Sequence, residues 1–324
     1  MGLTLRLFPP CSKEDTAPED AAAAAAQLGF PHHTLDLAEL FRAQVMDPFA
    51  ADYMLGRTPN PCVLCNRVIK FGALLDQALA LGCQKLATGH YARLSYDAGS
   101  GRWMLQKATH PHKDQSYVLS MLTQEQLSRA LFPLGSLTKD EVRAIASEAG
   151  LASAEKGDSQ DICFIPDGDY TAFIRRHTGL DFPEGPFLDE AGHVLGQHTG
   201  IIGYTVGQRR GLGVSSKSGR LYVKEIRPAD NAVVLSGNGQ LFGRTLTADQ
   251  LNLIACDRLE GEVRLRAKIR YRMAEQPCTV VQTGPDTIHL TFDDPQRAIT
   301  PGQTVVLYDG NTVVGGAVIL KGEP

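Results

Sequence analysis

Two patterns of apolar residues divide this chain. Up to about residue 180, short apolar runs alternate with stretches in which apolar residues recur at helical spacing. The run "LTLRLF" at 3–8 predicts a strand, and the alanine-rich residues 19–28, followed by Gly29, predict a helix. Strands and helices in alternation are typical of an α/β layer built on parallel strands.

Beyond about Pro186 the spacing of apolar residues changes from helical to alternating. Turn sequences such as "SGNG", "TGPD" and "YDGN" separate short apolar runs. The pattern predicts an all-β region of two small modules, with a joint near residues 241–250.

Composition places the chain among ordinary globular proteins, with 324 residues, 43% hydrophobic and 21% charged. The N-terminus lacks the pattern of a signal peptide, and no apolar run reaches the length of a membrane span. We therefore expect a cytoplasmic protein with no membrane partner. The net charge of −4 gives no overall indication of nucleic-acid binding, so a polyanion would need a local basic patch.

Seven scattered cysteines do not form the framework of a secreted disulfide-rich domain. Two of them, Cys62 and Cys65 in "TPNPCVLCN", are three residues apart before a predicted helix. A CxxC of this kind can be half a zinc site, a redox dithiol, a disulfide or one reactive thiol with a neighbour. Zinc is not favoured because a second CxxC is missing, although Cys83 and a histidine could complete a site. A redox dithiol is not favoured because the motif follows a long helix.

The place of Cys65 at the start of a helix favours a reactive thiol. Unpaired N–H groups and the helix dipole there stabilise a thiolate, so the sequence predicts a lowered pKa for Cys65. A small residue packed at a helix start remains the alternative interpretation.

Cys163 in "GDSQDICFIPDGDY" is predicted to lie in a short strand that Pro166 ends. A buried cysteine in a strand is the ordinary interpretation. The neighbouring Asp158 and Asp161 would raise the pKa of a thiol, which disfavours a simple nucleophile. A cysteine persulfide is more acidic than a thiol and would tolerate this setting better.

The segment "RLRAKIRYR" carries the strongest local charge. As a strand it would place five basic side chains on one face: Arg264, Arg266, Lys268, Arg270 and Arg272. A polyanion would relieve their repulsion; alternatively, acids on neighbouring strands would offset it. The loop "GQRRGLGVSSKSG" is glycine-rich and basic, and we interpret it as a hairpin loop with RNA contact.

Seven motifs occur in the order found in one family. They are "GRTPNPCVLCNRVIKF", "LATGHYARL", "HKDQSYVLSML", "GDSQDICFIP", "TVGQRRGLG", "AKIRYR" and "ITPGQTVVLYDG". The chain resembles the tRNA-specific 2-thiouridylases over essentially its whole length. This resemblance implies an α/β parallel-sheet domain like the ATP-pyrophosphatases at 1–168, a small central domain at 169–243 and a C-terminal β-barrel at 244–324. It also implies ATP-dependent replacement of O2 of the wobble uridine by sulfur delivered as a cysteine persulfide.

The resemblance assigns roles to both unusual cysteines. Cys65 matches the nucleophile and Cys163 the persulfide carrier, with a disulfide forming between them as sulfur is released. Asn60, Pro61 and Cys62 match positions that border the target base. Cys62 stands where many relatives have aspartate, so an acid-base role is not carried over to it.

The resemblance also implies ATP with Mg²⁺ as cofactors, and tRNA with a persulfide-donating relay protein or cysteine desulfurase as partners. Gly89 matches the residue that lets the nucleotide approach the backbone, and Leu5 matches an adenine contact. The tRNA contacts fall on seven further positions: His90, Lys113, Asp114, Gln115, Arg270, Tyr271 and Gln303. Strand alternation would send Tyr271 inward, so its assignment needs a bulge or a strand end.

The SGGxDS phosphate loop with which the family begins does not occur in this sequence. We expect either a start at an internal methionine or a true fragment. A catalytically inactive tRNA-binding remnant is therefore a second hypothesis. A third, a pyrophosphatase relative acting on a small molecule, is disfavoured by the β-modules and the basic segment.

Overall fold

The computed structural model describes residues 1–8, 17–151, 162–216 and 219–323. The chain forms two compact units. The first comprises Met1–Asp47, Pro61–Asp169 and Asn311–Val313, and the second comprises Pro48–Asn60, Tyr170–Gly310 and Val314–Pro324.

The first unit contains the parallel strands that the sequence predicts. Strand β1 (Gly2–Arg6) pairs in parallel with β2 (His32–Asp36), and helix α1 (Ala17–Gln27) lies between them in the chain. Further on, β3 (Leu86–Ala87) pairs in parallel with β6 (Ala130–Leu131). The α/β prediction is therefore confirmed.

A continuous helical stretch runs from residue 61 to residue 80 in the first unit. It consists of α4 (Pro61–Cys65), a π-helical segment (Asn66–Ala73) and α5 (Leu74–Ala80). Proline at the first position is favourable because its missing N–H would have no helical partner there. The π segment was not predicted.

Short elements complete the first unit. Two capping boxes form, at Thr123 with Gln126 and at Thr138 with Glu141. The remaining elements are α2 (Ala38–Phe41) with a π turn (Arg42–Met46), the hairpin of β4 (Ala92–Asp97) and β5 (Arg102–Lys107), α6 (Ser116–Leu119), α7 (Gln124–Arg129) and α8 (Lys139–Glu148).

The second unit begins with two helices whose aromatic residues pack together. Helix α3 (Asp47–Met54) continues from the first unit, and α9 (Tyr170–Thr178) starts the second long stretch. The Tyr53 and Tyr170 rings stack with centroids 4.7 Å apart.

A four-stranded sheet follows in the order β8-β7-β10-β9. Phe187, Val223 and Val233 are completely buried in its core. The strands are β7 (Gly185–Leu188), β8 (Val194–His198), β9 (Tyr222–Arg227) and β10 (Ala232–Ser236).

The C-terminal strands close into a six-stranded barrel in the order β11-β14-β13-β12-β15-β16, with β11 pairing back to β16. Inward residues such as Cys278, Val280 and Leu290 are completely buried, as closure of a small barrel requires. The strands are β11 (Phe242–Leu253), β12 (Glu262–Lys268), β13 (Gln276–Gln282), β14 (Ile288–Arg297), β15 (Thr304–Asp309) and β16 (Thr312–Glu323). The all-β prediction is confirmed.

In the part of the chain that the structure describes, no helix is both long and apolar enough to cross a membrane.

Candidate functional site

Three cysteines predicted to carry the chemistry belong to one site in the first unit. Cys62 and Cys65 lie in the first two turns of the 61–80 helix, and Cys163 lies in a later loop. Cys62 and Cys163 both act electrostatically on the Cys65 thiol, so the three thiols lie within electrostatic reach of one another. Cys62 and Cys163 are exposed, whereas Cys65 is only 8% exposed.

The structure corrects the local conformation predicted for Cys163. It lies in a turn rather than a strand, because the Ile165 N–H donates to the Ile162 carbonyl at 2.8 Å. Phe164 and Ile165 are buried, and the Phe164 ring packs edge-on against Phe41. These anchors leave the Cys163 side chain exposed. The neighbouring acids Asp158 and Asp161 lie outside the described residues.

The predicted lowering of the Cys65 pKa is wrong. Burial raises the pKa of Cys65 to about 12, against the opposing effect of the nearby Lys70 ammonium. The helix begins at Pro61, so Cys65 is the fifth helical residue and the N-terminal N–H groups lie nearer Cys62. Although the Cys62 and Cys163 side chains reach the surface, partial desolvation by neighbouring protein atoms also raises the pKa values of both thiols.

His90 borders the same site as an uncharged imidazole. Burial, and then the charge of Lys70, lower the pKa of His90 to about 3. Its Nδ1 lies 2.8 Å from Thr88 Oγ1, and its ring centroid is 6.0 Å from that of Phe71. His90 therefore acts as a neutral hydrogen-bonding group at neutral pH.

Two residues of this site were missed from the sequence. Lys70 acts electrostatically on all three cysteines and on His90. Asn66 is 2% exposed, donates from Nδ2 to the Val118 carbonyl at 3.1 Å and leaves its Oδ1 without a hydrogen-bond partner. The sequence signal for Lys70 is that it follows Cys65 by five residues. This spacing was overlooked because it places two residues on different faces of an ordinary α-helix.

The proposed nucleotide contacts also lie in the first unit. Gly89 follows β3 and is exposed. A Cβ built there would meet only Leu134, at 3.8 Å, so packing within the protein does not require glycine. Open space above the backbone fits the close approach of a nucleotide. Leu5 is half-buried in β1, opposite Leu35 of β2.

The triplet at 113–115 is committed mainly to internal contacts. The buried Asp114 carboxylate accepts from the Ala108 N–H at 2.9 Å and from the Ser116 hydroxyl at 2.8 Å. Gln115 accepts from the Tyr91 N–H at 2.9 Å. Lys113 is half-buried. Their assignment to tRNA stays a prediction, and the structure adds a role in shaping the loop.

In the second unit, the side chains of Arg270 and Gln303 donate hydrogen bonds mainly to backbone carbonyl groups. Arg270 Nη2 donates to Val206 O, Ala298 O and Thr300 Oγ1 at 3.2, 3.0 and 2.7 Å. Gln303 Nε2 donates to Thr58 O at 2.7 Å, which fixes the loop just before Asn60. Tyr271 is 39% exposed because β12 has already ended, which resolves the conflict between its outward role and strand alternation.

The basic face expected through Arg272 is shorter than predicted and is offset by acids. Strand β12 ends at Lys268, so Arg270 and Arg272 do not continue the face. Arg264 forms a bidentate pair with Asp293 at 2.8 and 2.7 Å, and Arg266 pairs with Glu275 at 3.8 Å. The alternative of neighbouring acids is correct for these two arginines.

Within the described ranges, no group of three or more histidine, cysteine or acidic side chains lies together in a metal-binding arrangement. The zinc interpretation of the CxxC gains no support from the structure. Cys65 and Cys163 are free thiols.

These features define a class of protein: a HUP-type α/β domain carrying a thiol site, followed by a small central domain and a closed β-barrel. Family profiles match all three parts. They are described as the tRNA methyl transferase HUP domain at residues 4–167, the tRNA methyl transferase PRC-barrel domain at 171–237 and the aminomethyltransferase β-barrel domain at 243–319.

Curated relatives identify the family to which the chain belongs. A protein of Caldanaerobacter subterraneus subsp. tengcongensis named tRNA-specific 2-thiouridylase MnmA 1 is 50% identical over 302 residues, covering 93% of this chain and 83% of its own length. The MnmA proteins of Clostridioides difficile and Acetivibrio thermocellus are 45% and 43% identical, over 94% and 98% of this chain and 84% and 91% of their own lengths. The chain belongs to the MnmA family of tRNA-specific 2-thiouridylases.

Proposed function

We propose that this protein is a tRNA sulfurtransferase that replaces O2 of the wobble uridine with sulfur carried as a persulfide on Cys163. Its substrate is tRNA, in agreement with the names of its relatives. The observation that carries the proposal is that Cys62, Cys65 and Cys163 lie within electrostatic reach of one another and of Lys70. Sulfur transfer through a persulfide needs a carrier thiol and a second thiol within reach of it.

Cys163 suits the carrier role because its side chain is exposed while its neighbours Phe164 and Ile165 anchor the turn. An external donor, either a persulfide relay protein or a cysteine desulfurase, can therefore reach it. Cys65 suits the second role because burial keeps it protonated, and protonated thiols resist oxidation and alkylation. Both thiols must be reduced at the start of a cycle, which suits the cytoplasm.

Cys65 and Cys163 together supply the electrons that release of the outer sulfur requires. The Cys65 sulfur, on losing its proton, attacks Sγ of Cys163 and forms a Cys65–Cys163 disulfide. The bond between Cys163 Sγ and the outer sulfur breaks, and its electron pair leaves with that sulfur. The outer sulfur bonds to C2 of the uridine as the C2–O2 bond breaks, and the oxygen would depart with the phosphate-derived group that activates it. The outer sulfur is reduced and the two cysteines are oxidised, so a cellular thiol reductant must restore them.

ATP, with Mg²⁺ to neutralise its phosphates, is the cofactor we propose. When bound, ATP supplies the activation of the uridine oxygen as a leaving group. The open backbone at Gly89 supports a nucleotide next to the turn that carries His90, and Leu5 is the residue we expect beside the base. Asn60, Pro61 and Cys62 would border the uridine, because they lie only three to five residues before Cys65 in the chain.

The names of the relatives and the family profiles differ on the transferred group, since the profiles speak of methyl transfer. The paired thiols favour sulfur. An inactive tRNA-binding remnant is not favoured, because the relatives that cover most of the chain carry enzyme names.

Analysis of nucleosides tests this proposal. The protein is incubated with unmodified tRNA, ATP and a persulfide donor, and the digested tRNA is examined by mass spectrometry. We expect uridine with sulfur in place of oxygen at the wobble position, and its loss in Cys65→Ser and Cys163→Ser with tRNA affinity unchanged. An added methyl group, or thiolation that survives either substitution, would refute the proposal.

A further inference from the structure

Lys70 is a half-buried lysine whose charge reaches three separate parts of the first unit. It acts on Cys62 and Cys65 in its own helix, on Cys163 in the 162–168 loop and on His90 in the turn after β3. Among the residues that the structure describes, no carboxylate lies within 4.0 Å of its ammonium group. A partly buried cation within electrostatic reach of three thiols is a feature that packing alone does not explain.

The π-helical segment accounts for the position of Lys70. The Leu74 N–H donates to the Ile69 carbonyl five residues earlier, which is the π pattern. In an α-helix a residue five positions after Cys65 would lie roughly 140° around the axis from it. The wider π turn brings residues i and i+5 towards one face, so Lys70 lies on the face of Cys65.

Contacts from other elements hold this segment in place. Gln126 Nε2 donates to the Arg67 carbonyl at 2.8 Å, and Asn66 Nδ2 donates to the Val118 carbonyl at 3.1 Å. Glycine suits position 72 in this turn, because a Cβ there would make a tight contact, 3.2 Å, with the Arg67 carbonyl oxygen. The side chain after Lys70, Phe71, is buried against the His90 ring. π turns of this kind often occur at functional sites.

We propose that Lys70 is the positioning residue of the thiol site: its ammonium group stabilises the sulfur anions of Cys65 and of the Cys163 persulfide, and the π segment brings it to them. The part of this inference that concerns sulfur transfer rests on the proposed function; the electrostatic part does not. During attack on Cys163, negative charge moves from the Cys65 sulfur to the departing outer sulfur. A cation beside both positions stabilises the charge throughout that movement.

Alkylation of single cysteines tests the inference without tRNA or ATP. Iodoacetamide labelling of Cys65 is followed by peptide mass spectrometry between pH 8 and 10, with Cys83 as the internal reference. Lys70→Met removes the charge but keeps the length of the side chain, and Lys70→Arg keeps the charge. Lys85→Met is the matched control, since Lys85 contacts the Trp103 ring and Ser128 O elsewhere in the same unit.

We expect Lys70→Met to slow labelling of Cys65 about tenfold at a given pH, the factor that corresponds to one pKa unit. Lys70→Arg should restore most of the rate, and Lys85→Met should leave it unchanged. If Lys70→Met does not fold, Lys70→Gln provides the same comparison. An unchanged rate in the neutral variants, or no recovery in a folded Lys70→Arg, would overturn the inference. Because labelling needs no turnover, a protein that transfers no sulfur would refute the proposed function and leave this result standing.

Discussion

Cys65 illustrates how burial can reverse an inference drawn from the position of a residue in the sequence. Its place near a helix start predicts a reactive thiolate, but enclosure by the first unit raises its pKa to about 12. The sequence shows that Cys65 follows a helix start, but the depth of burial depends on packing from residues distant in the chain. In the resting protein Cys65 is a protected thiol.

This state predicts an order of reaction for the three thiols. Between pH 7 and 8, iodoacetamide should label the exposed Cys62 and Cys163 before Cys65. Since the raised pKa lies well above this range, labelling of Cys65 should rise about tenfold for each pH unit up to pH 10. Peptide mass spectrometry of timed samples measures all three. Labelling of Cys65 that is fast and independent of pH near neutrality would contradict the raised pKa.

At the scale of elements, the strands and capping boxes were predictable because they depend on local sequence. The Thr123 and Thr138 boxes need only a pair of residues three apart, and strand β1 needs only a short apolar run. The π segment was missed because its register is held by Gln126 and Asn66, whose partners are far away in the chain. Strand β12 was predicted too long because alternation continues past Lys268 while the backbone bends.

The buried His198 in β8 is expected to make the stability of its sheet depend on pH. It is 1% exposed; its Nε2 donates to Asn231 O at 2.9 Å and its Nδ1 accepts from the Gly200 N–H at 3.1 Å, so the neutral ring is required. Burial lowers its pKa below the ordinary 6.5. The unfolded chain therefore binds a proton more readily than the folded one, and the stability contributed by His198 is present above pH 6.5 and is lost as the pH falls below it.

Hydrogen exchange measures this effect locally. Protection factors of the β10 amides should fall between pH 7.5 and pH 5 in the wild-type protein. His198→Gln should be less protected at pH 7.5 and should show a smaller change over the same range. An equal pH response in the two proteins would assign the effect to other groups.

At the scale of the whole molecule, the fold class and the family were predictable from seven motifs, and the charge distribution was not. Arg264 and Arg266 are offset by Asp293 and Glu275, so a basic segment in the sequence does not become a basic surface. The acids come from β14 and from the bend after β12, and only the fold brings them together. The exposed pair Arg209 and Arg210 is a better candidate for RNA contact.

The salt dependence of tRNA binding shows which of these arginines contact phosphate groups of the RNA. The double variant Arg209→Gln, Arg210→Gln should lower the slope of log K against log salt by about 0.7 to 0.9 for each phosphate that the variant no longer neutralises. Arg264→Gln is the control and should leave the slope unchanged, because Arg264 is already paired with Asp293. A slope that falls only in Arg264→Gln would contradict this prediction and assign RNA binding to the basic residues of β12.

Transfer of labelled sulfur in a single turnover tests the central claim most directly. Cys163 is loaded with isotopically labelled persulfide, the donor is removed, and tRNA and ATP are added. We predict that the label moves to the wobble uridine while a Cys65–Cys163 disulfide forms in equal amount, and that in Cys65→Ser the label stays on the protein. Transfer of label without the disulfide, or transfer that is unaffected in Cys65→Ser, would contradict the account.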